Sequence, residues 1–294
     1  MNVLPIPLFD THVHLDFPEF DADRLEFLHR GFPPLIKGLA TVPPIPIVIV
    51  GVLIPGIDLP SSRRIVEQAA LSDRLHAAVA VHPNHTADVT DDDWQNIIEL
   101  AQRGEVVAIG ETGLDCYWDD SPLTKQIDMF HRHIELSQNT GKPILIHCRD
   151  AWDVLLPILR QAGKLNGVIH AFSGNAEQMG ECVELGLHIS FAGSVTYRNA
   201  KFASLWEAAK ETPADRLLIE TDAPFMIPHP LRGKLPRNEP ALVALTAQRL
   251  SELRDVPLQT IAETTTYNAC ALFRLLNSVH FRQLLLQQPG QRSC

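Results

Sequence analysis

The sequence predicts a single-domain α/β protein with a (β/α)8 barrel, the TIM-barrel fold. Short apolar runs recur along the chain, and stretches of helical character lie between them. Eight such units fit within about 250 residues, which is the size of one barrel. Continuous apolar runs are typical of parallel strands, because helices cover both faces of the sheet. A doubly wound open sheet is the alternative, but the first strand lacks the GxGxxG turn of dinucleotide-binding sheets.

The order of strands and helices follows from these runs and from the residues that bound them. The candidate strands are Leu8–Asp10, Pro46–Ile54, Ala77–Val81, Val106–Gly110, Pro143–His147, Gly167–His170, Leu187–Phe191 and Leu217–Glu220. Asp91–Arg103 begins with acids and ends with arginine, as the helix dipole favours. Pro122–Thr140 has proline at its start and stops before Gly141, another pattern typical of a helix. Glu239–Glu252 and Leu258–Leu276 form a helical C-terminal region.

Two segments do not fit the repeating pattern. We expect the barrel to occupy residues 1–276, without a linker that divides it into two domains. Within it, residues 32–46 contain five prolines and cannot form a regular helix, so we expect a loop. Residues 277–294 form a glutamine-rich tail that has no place in a barrel, and we expect it to be poorly ordered.

Composition narrows the class of protein. The chain has 294 residues, a mean hydropathy near zero and a formal net charge of -10. It contains no run of about 18 apolar residues that could cross a membrane, and its start lacks the features of a secretory signal. Its five cysteines are scattered singly, so we expect a cytoplasmic protein without a disulfide framework. Because no long basic run is present, any nucleic acid would be bound locally, through a metal and a few arginines.

Polar residues at the ends of the strands point to a metal site. His12 and His14 alternate just after the first strand, so both imidazoles can face the same point. Further candidates at strand ends are His82, His85, Glu111, His147, His170 and Asp222. Singly, each could be a hydrogen-bonded structural residue, but the carboxyl ends of all eight barrel strands meet at one rim. Imidazoles and carboxylates there suit a binuclear centre for divalent ions, with Glu111 as a possible bridge.

Several motifs give the sequence a family resemblance. DTHVHLD, VHPNH, GETGLD, PILIHCRDA, GVIHAFSG and ETDAPF, followed by RGK and RNEP, resemble the motif series of TatD-type metal-dependent deoxyribonucleases in the metallo-dependent hydrolase superfamily. The resemblance runs from about residue 8 to Phe273. It implies a 3′–5′ exodeoxyribonuclease that acts on single-stranded DNA. It also implies that the metal ligands are His12, His14, Glu111, His147, His170 and Asp222. The residue 32–46 segment and the tail depart from the family pattern.

The predicted mechanism is phosphodiester hydrolysis at two divalent ions. The resemblance implies Mg²⁺, whereas four histidines would bind Zn²⁺ more tightly, and Mn²⁺ is a further alternative. We expect Asp222 to orient a metal-activated water and take its proton, with Glu111 bridging the ions. We assign His82 and His85 to phosphate contact or to protonation of the leaving group, although either could be a structural loop residue. Candidate substrate contacts are Arg149, Arg232, Arg237 and Asn238, near Lys234. We expect Cys148 to lie in the core.

Two other functions remain open at this point. Related barrels hydrolyse amides, esters and lactones, so the same centre could act on a small molecule or an aminoacyl ester. A metal-bound scaffold without catalysis is the third possibility, which the full ligand set argues against. Of the four tryptophans, only Trp118 lies in a loop where it could stack on a base.

Overall fold

Eight parallel strands pair in chain order in the computed structural model, which describes residues 6–24 and 47–277. The strands are β1 (Ile6–Asp10), β2 (Ile47–Pro55), β3 (Leu75–Val79), β4 (Val106–Asp115), β5 (Ile144–Arg149), β6 (Gly167–Ile169), β7 (Leu187–Phe191) and β8 (Leu217–Ile219). The predicted single-domain (β/α)8 barrel is therefore confirmed. Both exceptional segments of the sequence, at 32–46 and in the tail after Asn277, lie outside the described residues, and their expected character stays a prediction.

Helices follow most of the strands and cover the outside of the sheet. Those in the described part of the chain are α1 (Leu59–Ala69), α2 (Asp91–Leu100), α3 (Leu123–Thr140), α4 (Trp152–Ala162), α5 (Ala176–Glu184), α6 (Ala203–Glu211), α7 (Val243–Arg254) and α8 (Leu258–Leu272). The four helices predicted from their end residues are all present, with ends displaced by no more than about one turn. None of the helices in residues 6–24 and 47–277 combines the length and hydrophobicity needed to span a bilayer.

A seam between β8 and β1 nearly closes the barrel. The amide of Thr11 donates to the carbonyl of Ile219 at 3.2 Å, and Val13 forms a parallel bridge with Ala223. Across the same seam, the buried carboxylate of Asp10 accepts hydrogen bonds from the amide and the hydroxyl of Thr221, at 2.9 and 2.6 Å. These contacts hold the carboxyl ends of β1 and β8 at the same height along the barrel axis.

Apolar side chains fill both sides of the sheet. Inward-facing residues such as Leu53 and Leu145 form one buried cluster, which the C-terminal end of α8 completes. There the rings of Phe9 and Phe273 lie 6.1 Å apart, so α8 covers the floor of the barrel. The alternate strand residues, such as Val52, pack against the surrounding helices in a second and larger cluster. The mouth at the carboxyl ends of the strands is thus left to polar residues.

Strand β4 is longer than predicted. The prediction ended it at Gly110, whereas the observed strand continues through Glu111 to Asp115. An irregularity in the pairing with β5, between Ile109 and Thr112, accommodates the extension. Gly113 has φ +140, and a Cβ there would lie 2.1 Å from the carbonyl oxygen of His147, so only glycine permits this close pairing. Glu111 therefore lies within a strand, so the backbone before and after it is fixed and its side chain projects from that strand.

Candidate metal centre

Six predicted ligands converge at the mouth of the barrel. His12 and His14 follow β1, Glu111 lies in β4 and His147 in β5, while His170 and Asp222 follow β6 and β8. These positions come from five different strands. All six side chains are buried or nearly so, and His12 is fully buried. The barrel therefore brings together residues that are as many as 210 positions apart in the sequence, 222 minus 12.

One carboxylate oxygen of Glu111 faces the seam of the barrel. Its Oε2 lies 3.2 Å from Nε2 of His12 and 3.7 Å from Nε2 of His14. The same two nitrogens lie 3.7 and 3.6 Å from Oδ1 of Asp222. We call His12, His14 and Asp222 the seam group, because they stand where β1 meets β8.

The other oxygen of Glu111 faces a second set of imidazoles. Its Oε1 lies 2.7 Å from Nε2 of His170, 2.9 Å from Nδ1 of His147 and 3.5 Å from Nε2 of His82. We call His82, His147 and His170 the central group. Glu111 thus stands between two groups of donor atoms, with one oxygen directed at each.

The donor atoms of the two groups fit divalent cations. Nε2 of His12 and His14 approach to 3.1 Å, and so do Nδ1 of His147 and Nε2 of His170. A neutral imidazole carries one proton on its two nitrogens, so hydrogen bonding alone satisfies such a gathering of nitrogens and carboxylates poorly. Cations satisfy all of these lone pairs at once, and imidazole with carboxylate is a donor set of divalent metals.

A layer of carboxylates orients the histidines. Oε1 of Glu220 lies 3.3 Å from Nδ1 of His170 and accepts a hydrogen bond from the amide of Ala171 at 2.6 Å. Oδ2 of Asp115 lies 3.0 Å from Nε2 of His147. Such carboxylate–histidine contacts fix the orientation of a ligating ring and raise its basicity.

Neither Glu220 nor Asp115 is among the predicted site residues. Both are buried acids, Glu220 at the end of a strand and Asp115 within one, and a buried carboxylate needs a charged or hydrogen-bonding partner. The sequence signal that could have found Glu220 is its position two residues before Asp222, on the same side of an extended chain. For Asp115 the signal is weaker, because a strand was not expected to reach it.

The pKa values of the two carboxylates at the mouth, Asp222 and Glu111, are shifted in opposite directions. Burial raises the pKa of Asp222 to about 6, against the opposing effect of His12 and His170. Burial would also raise the pKa of Glu111, but the surrounding histidines outweigh it and hold that pKa well below its usual range. Without bound cations, Glu111 is therefore an anion at neutral pH, whereas Asp222 exchanges its proton near neutrality.

The predicted loop histidines lie at different depths. The Nδ1 atom of His82 accepts a hydrogen bond from the amide of Asn84 at 3.1 Å, which turns Nε2 toward Glu111. Its ring packs edge-on against His147, with centroids 4.6 Å apart. His85 is exposed further out, with its ring 6.2 Å from that of His82. His82 is thus part of the cluster, and His85 stands at its entrance.

Two of the predicted arginines, Arg149 and Arg232, are exposed and stacked on aromatic rings, that of Tyr197 for Arg232. The guanidinium of Arg149 lies 3.9 Å from the ring centroid of Tyr117 and 5.8 Å from that of Trp118. The backbone amides of Tyr117 and Trp118 donate to Oδ1 of Asp115, at 2.9 and 3.1 Å, so this surface is attached to the residue that orients His147. Trp118 is 50% exposed.

Two other predicted contacts are engaged by neighbouring protein groups. Arg237 pairs with Asp23 and with Glu239 and covers the ring of Phe20. Asn238 is fully buried, and its amide donates to the carbonyl of Thr221 at 2.9 Å. The structure thus places Asn238 where it fixes the loop after β8 and holds the backbone beside Asp222. Cys148 is buried, as predicted.

Comparison with known proteins gives a consistent result. The family model described as "TatD related DNase" matches residues 9–274. A metal-dependent hydrolase of Bacillus subtilis, YabD, whose own role is uncharacterized, is 40% identical over 270 residues, which are 91% of this chain and 99% of the relative. A protein of Escherichia fergusonii named 3′-5′ ssDNA/RNA exonuclease TatD is 33% identical over 270 residues, 90% of this chain and 98% of the relative.

A solved structure matches as well. The TatD homologue YjjV of Escherichia coli K12 superposes with a TM-score of 0.79 at 29% sequence identity, covering 91% of this chain and 98% of the homologue. Three findings indicate the same family. They are a family model that spans nearly the whole barrel, relatives of the same length, and a solved homologue with the same arrangement of strands. The chain belongs to the TatD-related DNase family of metal-dependent hydrolases, which act on ester bonds.

Proposed function

We propose that this chain hydrolyses phosphodiester bonds of single-stranded DNA and releases nucleotides from the 3′ end. The observation that carries the proposal is the position of Glu111, with one oxygen toward the seam group and the other toward the central group. Two cations bound about 4 Å apart are a recurring arrangement in enzymes that cleave phosphodiesters. The name of the Escherichia fergusonii relative, a 3′-5′ ssDNA/RNA exonuclease, supports the substrate class and the direction.

The residues divide the work of binding the cations. The seam group would hold one divalent ion, and His147 and His170 of the central group would hold another, with Glu111 shared between them. Mg²⁺ is our proposal for the nuclease reaction, and Mn²⁺ or Zn²⁺ would satisfy the same donors. When bound, such ions supply positive charge for the phosphate oxygens and favour the deprotonation of water.

Proton transfer is assigned to side chains at the rim. Asp222 is the proposed general base, because its carboxylate stands at the inner edge of the mouth beside the histidines that would hold a cation. His82 is the proposed phosphate contact or proton donor, because its Nε2 atom points into the cluster from a loop near the opening. His85, exposed beside it, would meet a longer substrate.

Substrate contacts are proposed for the exposed cations of the mouth. Arg149 stacks on Tyr117 and, among the described residues, makes no ion pair with a carboxylate, so its guanidinium edge can bind phosphate. Exposed aromatic rings beside a cation are typical of surfaces that bind single strands, where bases stack and phosphates pair with arginine. Because the chain is acidic overall, we expect it to bind DNA through a local contact of this kind and not through a broad basic surface. The scattered cysteines of the sequence support a cytoplasmic location.

Product analysis tests the proposal. Wild-type protein and the Asp222→Asn variant would be incubated with single-stranded DNA labelled at the 3′ or the 5′ end, in Mg²⁺, Mn²⁺ or Zn²⁺. Asp215→Asn is the matched control, because this aspartate is 77% exposed on the loop before β8. We expect the 3′ label to appear first as mononucleotide, and Asp222→Asn to lower kcat at least about 100-fold.

Other outcomes separate the alternatives. Release of the 5′ label first would contradict the proposed direction, and internal cuts would contradict exonuclease action. An absence of cleavage with every cation would refute the nuclease, and the same preparation would then be assayed on ester and amide substrates. Metal content measured for Glu111→Gln provides a readout besides activity, since loss of the shared carboxylate should reduce the number of bound ions.

A further inference from the structure

A cavity of about 740 Å³ opens beside the metal centre. It lies between the loops that follow β6, β7 and β8. Ala171, which directly follows the ligand His170, forms part of its wall, and so do Pro224 and Phe225, which follow Asp222. A molecule in this cavity would therefore contact the same loops that carry the metal ligands, and its volume is in the range of small-ligand sites.

Aromatic side chains, among them Phe225 and Tyr197, line the cavity. Phe225 is 49% exposed, and its ring lies 6.3 Å from that of His14 and 5.9 Å from that of Phe17. Tyr197 also lines the cavity, with the guanidinium of Arg232 4.4 Å from its ring centroid. Phe225 thus presents an exposed ring beside His14, on which a flat group could stack.

The charge of the cavity is opposite to that of the chain. Among the described residues that line it, Lys201 and Arg232 are the charged ones, and no carboxylate is present. Neither cation forms an ion pair with a carboxylate of the described residues, whereas the whole chain carries a formal net charge of -10. The remaining polar wall consists of hydroxyl and amide groups, such as those of Ser194 and Asn175. Such a lining favours an anionic ligand with a flat apolar part.

We propose that this cavity is a nucleotide subsite that holds one of the two nucleotides flanking the scissile phosphate. The base stacks on Tyr197 or Phe225, and Arg232 and Lys201 contact backbone phosphate. The proposal rests on the proposed phosphodiester hydrolysis and adds that recognition requires a base. Because every base offers a ring face for stacking, the subsite should tolerate all four bases and reject a sugar without one.

Abasic substrates test the stacking. Single strands would carry a tetrahydrofuran residue in place of the nucleotide on either side of the terminal phosphodiester. For wild-type protein, removal of the base at one of these positions should lower kcat/KM roughly tenfold or more. Tyr197→Leu should lower kcat/KM for the normal strand by a similar factor and leave the abasic strand almost unchanged. Tyr197→Phe should retain the preference for a base.

A matched control comes from Tyr267, which is 55% exposed on α8 outside the cavity. Tyr267→Leu should behave as wild type with both strands. If Tyr197→Leu and Phe225→Leu each lower kcat/KM equally for normal and abasic strands, or not at all, the stacking subsite is refuted while the nuclease function stands.

Binding tests the phosphate contact independently of catalysis. Affinity for a fluorescent oligothymidylate would be measured by anisotropy over a range of salt concentrations, in the presence of chelator. Arg232→Gln should reduce the slope of log affinity against log salt by about 0.7, the value for one phosphate contact in a single strand. Arg103→Gln is the control, because Arg103 is 58% exposed beside the start of β4, at the opposite end of the barrel.

The two readouts distinguish the failure of each proposal. Binding that depends on Tyr197 and Arg232 without cleavage of any strand would support the subsite and refute the hydrolysis of DNA. If the protein cleaves DNA but the Arg232→Gln and Tyr197→Leu variants cannot be distinguished from their controls, the subsite alone is refuted. An absence of both binding and cleavage would refute both.

Discussion

His133 offers a quantitative test of how the barrel supports its mouth. This residue of α3 is fully buried. Its Nε2 atom accepts a hydrogen bond from the amide of Val81 at 3.1 Å, and Nδ1–H donates to the carbonyl of Met129 at 2.7 Å. The ring must therefore be neutral to make both bonds. Val81 directly precedes His82, so the imidazole anchors the backbone that presents a residue of the central group.

The expected pH dependence follows from the pKa of this imidazole. Burial lowers the pKa of His133 from 6.5 to about 4. Between these two values the unfolded chain binds a proton that the folded chain does not, so stability falls as the pH falls. The difference of 2.5, 6.5 minus 4, corresponds to about 3 kcal/mol once partial protonation at pH 4 is included. Below about pH 4 both states are protonated and the loss levels off.

Urea denaturation of wild type and His133→Gln between pH 7.5 and pH 4 would measure this effect. At pH 7.5 we expect the variant to be less stable by about 1–3 kcal/mol, because the hydrogen bonds of the ring are lost. The advantage of the wild type should then shrink by about 3 kcal/mol toward pH 4, since glutamine does not titrate. His131→Gln, an exposed position on the same helix, serves as the control and should behave as wild type. A stability difference that stays constant with pH would refute the reasoning.

Three further substitutions test other parts of the structure. Asp115→Asn removes the carboxylate partner of His147 and should weaken metal binding about 10- to 100-fold in a calorimetric titration; unchanged affinity would contradict the orienting role. Gly113→Ala places a Cβ 2.1 Å from a backbone oxygen and should lower the melting temperature sharply or prevent folding. Gly104→Ala, where nothing lies within 4 Å, should melt as wild type does. Asn238→Ala leaves buried polar groups unpaired and should cost about 1–3 kcal/mol in urea denaturation, with wild-type stability as the contradicting result.

The predicted strands agree with the structure, and the predicted ligands lie close together in it, because both predictions depend on local pattern. A buried parallel strand needs a continuous apolar run, and β7, predicted and observed as Leu187–Phe191, illustrates this. The convergence of His12, His147 and Asp222 follows from the geometry of any closed barrel, since its strand ends meet at one rim. Local pattern together with the symmetry of the fold was therefore sufficient.

Other features depend on contacts that no local pattern reveals. Strand β4 was predicted to end at Gly110, but it continues through Glu111, whose charge is stabilised by four histidines from other parts of the barrel rim. Asp115 acquires its role only through the pairing of β4 with β5. Asn238 was predicted as a candidate substrate contact from its place in a polar loop, whereas in the structure its buried amide donates to the backbone carbonyl of Thr221.

The seam also sets the order in which the two halves of the centre can be completed. All residues of the central group, together with Glu111, lie between positions 82 and 170 and need only neighbouring strands. The seam group is complete only when Asp222 reaches His12 and His14. Beside Asp222, the hydrogen bond from Thr221 to Asp10 joins residues 211 positions apart. Closing so long a segment costs conformational entropy. A cation held by the seam group would link the first strand to the last. Occupancy of that site by a cation would therefore report whether the whole barrel has closed, during synthesis and after refolding.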